Sequence, residues 1–148
     1  MRRIASGACA AAMVALLSAA GSVPAQAPAP DGRCGTALDA RHRVEVDGAQ
    51  HRLAFVPVPA PLASGRHLSL DIVVCPRLGA SAPGALKVDA DMPAHRHGMN
   101  YRPLAVPQGS GRFRVDGLMF HMPGRWRLML EVETPDGPRR LEQPVEVR

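Results

Sequence analysis

The sequence predicts an all-β protein, an immunoglobulin-like antiparallel β-sandwich of seven to eight strands. Apolar and polar residues alternate in several short segments, most regularly at residues 68–74 and 86–92, which is typical of strands with one buried face. Gly, Pro and Asp residues separate these segments, and no long segment has the period of a helix. Two packed sheets fit this pattern, and a small barrel is the alternative.

The predicted strands follow one another along the chain with short turns between them. Asp47 and Gly48 form a tight turn in the first hairpin. Asp116 and Gly117 could form another hairpin turn, but a bulge inside a continuing strand fits the pattern better, and it reverses the alternation beyond it. The strands are expected at residues 44–46, 53–55, 68–74, 86–92, 101–106, 112–118, 126–132 and at a last segment ending near 147.

The N-terminal segment has the composition of a secretory signal peptide. Arg2 and Arg3 precede an apolar, Ala-rich run at residues 4–20, and small residues follow up to Ala25. A retained membrane anchor is the alternative, although the run is short for a membrane span. We therefore expect a periplasmic or secreted protein. The predicted organisation is a signal peptide at 1–25, a flexible lead-in at 26–35 and a single domain at 36–148.

Two cysteines remain once the signal peptide, with Cys9, is removed. In an oxidising compartment, Cys34 and Cys75 are predicted to form a disulfide. A pair of thiolate metal ligands is the alternative, but the chain has no Cys-x-x-Cys spacing. Because Cys75 alternates with inward-facing residues, the segment carrying Cys34 must cross the outer side of the sheet or the end of its strand.

The charge pattern argues against nucleic acid as a partner. The chain has 18 Lys and Arg against 13 Asp and Glu, for a formal net charge of +5. The arginines are scattered, and aromatic residues that could stack on bases make up 3% of the chain. We interpret the arginines as a solvated surface.

Histidine and methionine are concentrated in two runs, at residues 92–99 and 119–124. These runs hold three of the six histidines and four of the seven methionines. Imidazole and thioether are side chains that suit copper, and thioether suits the reduced ion especially. Two strand crossings separate the runs, so both are expected at the same end of the sandwich. In an extended segment, His95, His97 and Met99 would share one face.

Several of these residues also have a structural interpretation. Met92 continues an inward alternation and is predicted to lie in the core, and one of Met119 and Met122 is expected to fill the core as well. Met129 faces outward and is assigned no role. The three isolated histidines, on polar faces, are predicted to lie at the surface: His42, His51 and His67.

Three motifs in the second half of the chain carry a resemblance to a known family. They are Met92-Pro93-x-His95-x-His97-Gly98-Met99, Gly111-x-Phe113-x-Val115 and Phe120-x-Met122-Pro123-Gly124-x-Trp126. These motifs resemble the YtkA-like domain family, which is related to the periplasmic part of FixH-type proteins, and the resemblance covers residues 68–132. It implies a small exported β-sandwich associated with copper handling and oxidase assembly. The spacing from Met99 to His121 also has a partial likeness to copper chaperones of the PCuAC type.

These observations favour a periplasmic copper carrier or chaperone that is not an enzyme. His95, His97 and Met99 would be the primary ligands of Cu(I) or Cu(II), with His121 or Met122 completing the coordination. A membrane-bound copper acceptor or an oxidase-assembly protein would be its partner. The alternative is a metal-independent immunoglobulin-like module that docks on a membrane or secreted partner through the same loops.

An enzyme with zinc on His95, His97 and His121 and a nearby Asp91 is a third hypothesis. No Gly-x-Ser-x-Gly or His-Glu-x-x-His motif supports it. The sequence therefore predicts no catalytic residue.

Overall fold

The computed structural model describes residues 33–148, so the predicted signal peptide and most of the lead-in lie outside the described residues. Within them the chain forms β-strands and turns, and none of it is a helix that could cross a membrane. The strands are β1 (Val44–Asp47), β2 (His51–Val58), β3 (His67–Pro76), β4 (Ala85–Met92), β5 (His97–Gly98), β6 (Leu104–Gly109), β7 (Arg112–Met119), β8 (Gly124–Glu133) and β9 (Arg139–Val147).

Two antiparallel sheets form the sandwich, which confirms the predicted all-β fold. One sheet has the strand order β1-β2-β3-β7-β6, and the other has the order β5-β4-β8-β9. The described residues contain nine strands, one more than the upper limit of the predicted seven to eight. The additional strand is β5, whose two residues are too few to produce an alternating pattern.

The core lies between the sheets and consists of the inward-facing residues of each strand. Strands β3, β4 and β8 alternate buried and partly exposed residues along most of their length. Removing these apolar side chains from water is the main force that holds the two sheets together. The largest fully buried side chains are Trp126, Phe55, Phe120, Leu53, Leu70, Ile72, Leu118, Leu128 and Leu130.

The predicted bulge in β7 is confirmed. Leu70 pairs with Val115, but Leu68 pairs with Leu118, so β7 holds one residue more than β3 between these pairs. Gly117 accommodates the bulge with a φ of 86°. Beyond it the alternation is reversed, which directs Leu118 and Phe120 into the core.

The chain crosses the sandwich twice between the two His/Met runs, as predicted, but it does so in the opposing sheet. Strands β6 and β7 belong to the five-stranded sheet, whereas β4, β5 and β8 belong to the four-stranded one. Strand β6 also begins at Leu104 rather than at Tyr101, because the chain first has to pass from one sheet to the other.

The predicted disulfide between Cys34 and Cys75 is present, with the two Cα atoms 5.8 Å apart. The segment before β1 crosses the outer side of β2 and β3, as the parity of Cys75 requires. Gly35 allows the close approach, since a Cβ atom there would collide with the Cβ of Ala54. A second small apolar cluster results on this side: Cys34, Leu38, Ala54 and Val56.

His51 is buried, so its predicted surface position is wrong. It is 2% exposed, and its Nε2 atom lies 2.8 Å from the carbonyl oxygen of Ser81. A carbonyl can only accept a hydrogen bond, so Nε2 is the donor. His51 lies on the same face of β2 as the buried residues Leu53 and Phe55. Its position in this alternation directs it inward, although its polar side chain favoured the surface. His42 and His67 are exposed, as expected.

We expect the double substitution Cys34→Ser and Cys75→Ser to lower the free energy of unfolding by about 4 kcal/mol, because the disulfide closes a long loop in the unfolded chain. The two cysteines are 41 residues apart. Urea unfolding followed by circular dichroism measures the change. Ser110→Ala, in the exposed turn between β6 and β7, serves as the control. Equal stability of the disulfide variant and the parent would contradict the prediction.

Candidate metal site

The first of the two loops is a tight hairpin between β4 and β5. Met92 pairs with His97 across the hairpin, and residues 93–96 form the turn. The backbone N–H of His95 donates to the carbonyl of Met92 at 3.0 Å, and Arg96 takes a φ of 56°. His97 therefore follows directly from the sheet, whereas His95 lies in the turn and does not continue an extended face with His97 and Met99.

The second loop connects β7 to β8 through residues 120–123. Phe120 is buried, His121 is exposed and Met122 is half-buried. Trp126, at 0% exposure, donates from its Nε1–H to the carbonyl of Met122 at 3.1 Å. This hydrogen bond fixes the loop against β8. Gly124 has a φ of 124°, and a Cβ atom there would lie 2.8 Å from the Cε atom of Met92.

The two loops meet above the indole of Trp126. The ring centroids of His97 and His121 are 4.7 Å apart, and those of His95 and His97 are 5.8 Å apart. The Trp126 ring lies 5.7 Å from His97 and 5.3 Å from His121. The two predicted runs thus contribute to one histidine cluster, which consists of His95, His97 and His121, with Trp126 as its floor.

The ring separations in the histidine cluster are compatible with a shared ion. When two imidazoles bind one ion through bonds of about 2.0–2.1 Å, each centroid lies about 3 Å from the ion, so the two centroids are at most about 6 Å apart. Within residues 33–148, however, no three side chains of the His, Cys, Asp and Glu types are oriented to hold an ion as they stand. Joint ligation requires rotation of the exposed rings of His95 and His121 about their side-chain bonds.

His97 carries a polar atom that is unsatisfied. Its Nδ1 atom is buried and has no hydrogen-bond partner. Buried polar atoms in folded proteins almost always have a partner, and an exception indicates strain or a missing water or ion. The Nδ1 atom is therefore a candidate ligand atom whose partner would be a bound cation.

The methionines of the two runs separate into three environments. Met92 is 3% exposed and belongs to the core, as predicted. Met99 and Met122 are half-buried and pack against the core cluster. In the chain, Met99 lies two residues after His97 and Met122 directly follows His121. Met119 lies on the outer side of its strand, because its neighbours Leu118 and Phe120 face inward. Of the two predicted alternatives, Met122 is thus the residue that packs on the core.

Asp91, on the outer face beside the hairpin, is engaged in an ion pair. Arg127 donates from Nε to one carboxylate oxygen at 2.9 Å and from Nη2 to the other at 2.5 Å. The hydrogen bond to Asp91 is the main reason that the pKa of Arg127 is raised above its ordinary value. A carboxylate held in this bidentate way is a poor general base for the zinc hypothesis.

The importance of Trp126 to the site was not predicted from the sequence. Its inward direction follows from the alternation of β8, but its position beneath both loops depends on the pairing of β4 with β5 and β8. Strand pairing of this kind leaves no local signal in the sequence. The Trp126 contacts with His97 and His121 therefore depend on the tertiary structure and not on any local sequence pattern.

No known protein family matches the chain, and no curated protein matches it, so the YtkA-like resemblance stays a prediction. A DUF4426 family protein from Pseudomonas aeruginosa PAO1 is structurally similar, with a TM-score of 0.52 at 7% identity over 73% of this chain and 96% of that one. A copper-bound variant of FetP from uropathogenic Escherichia coli gives a TM-score of 0.49 at 9% identity over 71% and 89%. At 7% identity the first likeness extends to the fold alone.

We expect Trp126→Phe to lower the free energy of unfolding by roughly 2–4 kcal/mol, because it removes a buried hydrogen bond and leaves a cavity under the loops. Urea unfolding followed by far-ultraviolet circular dichroism tests this. Tyr101→Phe, at an exposed position, should change the stability by no more than about 0.5 kcal/mol. Similar losses in the two variants would show that Trp126 does not support the loops.

Proposed function

We propose that this chain is an exported copper-binding protein, a carrier or chaperone and not an enzyme. The observation that carries the proposal is the pair His97 and His121, with ring centroids 4.7 Å apart on the Trp126 floor, together with the unpartnered Nδ1 atom of His97. Two imidazoles from different loops, one with an unsatisfied buried nitrogen, form an incomplete ligand set. A cation bound there would supply the missing partner.

The chemistry of the surrounding donors favours copper over other ions. Imidazole suits both zinc and copper, but thioether suits Cu(I), and Met99 and Met122 lie within two residues of His97 and His121 in the chain. Copper(II) also binds nitrogen ligands more tightly than the other divalent ions of its row. We assign His97 and His121 as the central ligands, His95 as the third, and Met99 and Met122 as the thioethers available to the reduced ion.

The exposure of the site fits a carrier that passes its ion on. His95 and His121 are exposed loop residues, so an acceptor can approach the ion and replace one ligand at a time. The disulfide between Cys34 and Cys75 is compatible with an oxidising compartment outside the cytoplasm. A membrane-bound copper acceptor or an oxidase-assembly protein is the partner that we propose.

Copper binding can be followed through Trp126, which is the one tryptophan of the chain. We expect Cu(II) to quench its fluorescence, since a paramagnetic ion on His97 and His121 would lie close to the indole ring. The double variant His97→Ala and His121→Ala should weaken copper binding by on the order of 100-fold or more. Removing even a residue that only hydrogen-bonds to a metal ligand lowers metal affinity about 10–100-fold, and this variant removes two proposed ligands.

His42→Ala provides the matched control for this titration, since His42 is exposed and hydrogen-bonded to Asp39. It should leave the affinity for Cu(II) unchanged. The proposal would be wrong if neither copper ion bound more tightly than about micromolar. It would also be wrong if the double variant kept the parent affinity.

A thioether ligand predicts a difference between the two copper ions. We expect Met99→Leu to lower the affinity for Cu(I) roughly tenfold or more and to leave the affinity for Cu(II) unchanged, because leucine preserves the volume but lacks the soft sulfur. Competition with a Cu(I) chelator measures the first affinity, and Trp126 fluorescence measures the second. Met129→Leu is the matched control. Equal Cu(I) affinity in Met99→Leu and Met129→Leu would show that Met99 is not a copper ligand.

One observation favours the interaction-module alternative. Strand β6 is an edge strand, and its side chains Leu104 and Val106 are 68% and 40% exposed. Exposed apolar residues on an edge strand are typical of a surface that binds a partner. Capture of a defined membrane partner that is insensitive to chelators, but is lost in Leu104→Glu, would support this function instead.

A further inference from the structure

Another histidine and methionine, separate from the histidine cluster, lie side by side on the outer face of the five-stranded sheet. His67 begins β3, Met119 ends β7, and the two residues are direct partners in the antiparallel ladder. The adjacent pair, Leu68 and Leu118, is buried in the core. Because side chains alternate along a strand, His67 and Met119 both point outward. We refer to His67 and Met119 as the outer pair.

The separation in the outer pair suits a shared ligand. Directly opposed residues of an antiparallel ladder have Cβ atoms about 4.5–5.5 Å apart. An imidazole nitrogen and a thioether sulfur on such a base can both reach one ion, with bonds of about 2.0 and 2.3 Å respectively. His67 is exposed and Met119 is half-buried, so the imidazole is open to solvent while the thioether is partly sheltered.

Tyr101 packs against His67 of the outer pair. Its ring meets the ring of His67 edge to face, with centroids 5.2 Å apart and an interplanar angle of 83°. Tyr101 lies in the segment that passes between the two sheets. An aromatic contact of this kind limits the orientations of an otherwise mobile surface imidazole and reduces the entropy lost when it binds a ligand.

We propose that His67 and Met119 form a second binding site, which takes a soft monovalent cation, Cu(I). A neutral imidazole and a neutral thioether suit an ion of low charge that accepts few ligands and prefers sulfur. Copper(II), which favours a square-planar set of nitrogen and oxygen ligands, and Mg²⁺ or Ca²⁺, which require oxygen, fit this pair poorly. Binding involves no change in oxidation state.

The outer pair lies close to the histidine cluster along the chain. Met119 precedes His121 by two residues, so their Cα atoms are at most about 7 Å apart. Under the proposed function, Cu(I) on the outer pair would therefore lie one short step from His121, as a landing position for an ion entering or leaving. Binding at the outer pair itself does not depend on the histidine cluster, so the two proposals can fail separately.

The test uses the full mature chain labelled with ¹³C in the methionine methyl groups and titrated with Ag(I), a redox-inert stand-in for Cu(I). Substitution Met119→Leu assigns the methyl signal. We expect this signal to shift on addition of Ag(I). His67→Ala should weaken the binding seen at Met119 roughly tenfold or more, since one of two ligands is lost, and should leave the quenching of Trp126 by Cu(II) unchanged.

Two controls separate the sites. His42→Ala, a matched exposed histidine, should leave the Met119 response intact, and so should the double variant His97→Ala and His121→Ala. The second site would be overturned by a Met119 signal that does not move at saturating Ag(I), or by unchanged affinity in His67→Ala. A response lost in the double variant alone would assign Met119 to the histidine cluster. Failure of Trp126 quenching with an intact Met119 response would overturn only the proposed function.

Discussion

The burial of Trp126 between the sheets is the constraint on which the candidate site depends. The indole fills the core beneath the open end of the sandwich, and its Nε1–H donates to the carbonyl of Met122. This hydrogen bond ties the β7–β8 loop to the start of β8. His121 on this loop and His97 on the opposing hairpin then contact the same ring. The distance between the two imidazoles is therefore a consequence of core packing rather than of contacts between exposed loops.

The bulge in β7 is the second requirement. If Asp116 and Gly117 were both regular strand residues, without the bulge, the alternation of β7 would place Met119 in the core and would turn Phe120 outward. The reversed parity instead packs Phe120 against Trp126, with ring centroids 5.1 Å apart, and leaves Met119 beside His67 on the outer face. One irregularity thus supports the floor of the histidine cluster and creates the outer pair at the same time.

Period-two alternation made much of this fold predictable, because a strand with one buried face repeats every second residue. The sandwich, the burial of Met92, the side on which the disulfide lies and the bulge all follow from it. His51 would have been predicted correctly if parity had been given more weight than polarity. The turn that holds His95, and the pairing of His67 with Met119, depend on hairpin geometry and on register between distant strands, for which local sequence carries little information.

The two cysteines of the described chain are joined far from the histidine cluster. Cys75 lies near the end of β3 and His67 at its start, so the sulfur atoms of the disulfide are roughly 25 Å along the strand from the outer pair. Thiolate is the protein ligand that holds soft metals most firmly, and here it is both oxidised and remote. Under the proposed function, an ion at the other end would be held by imidazole and thioether, which release it more readily than thiolate would. The fold thereby separates the sulfur chemistry that stabilises the protein from the weaker ligands that would let a cargo exchange.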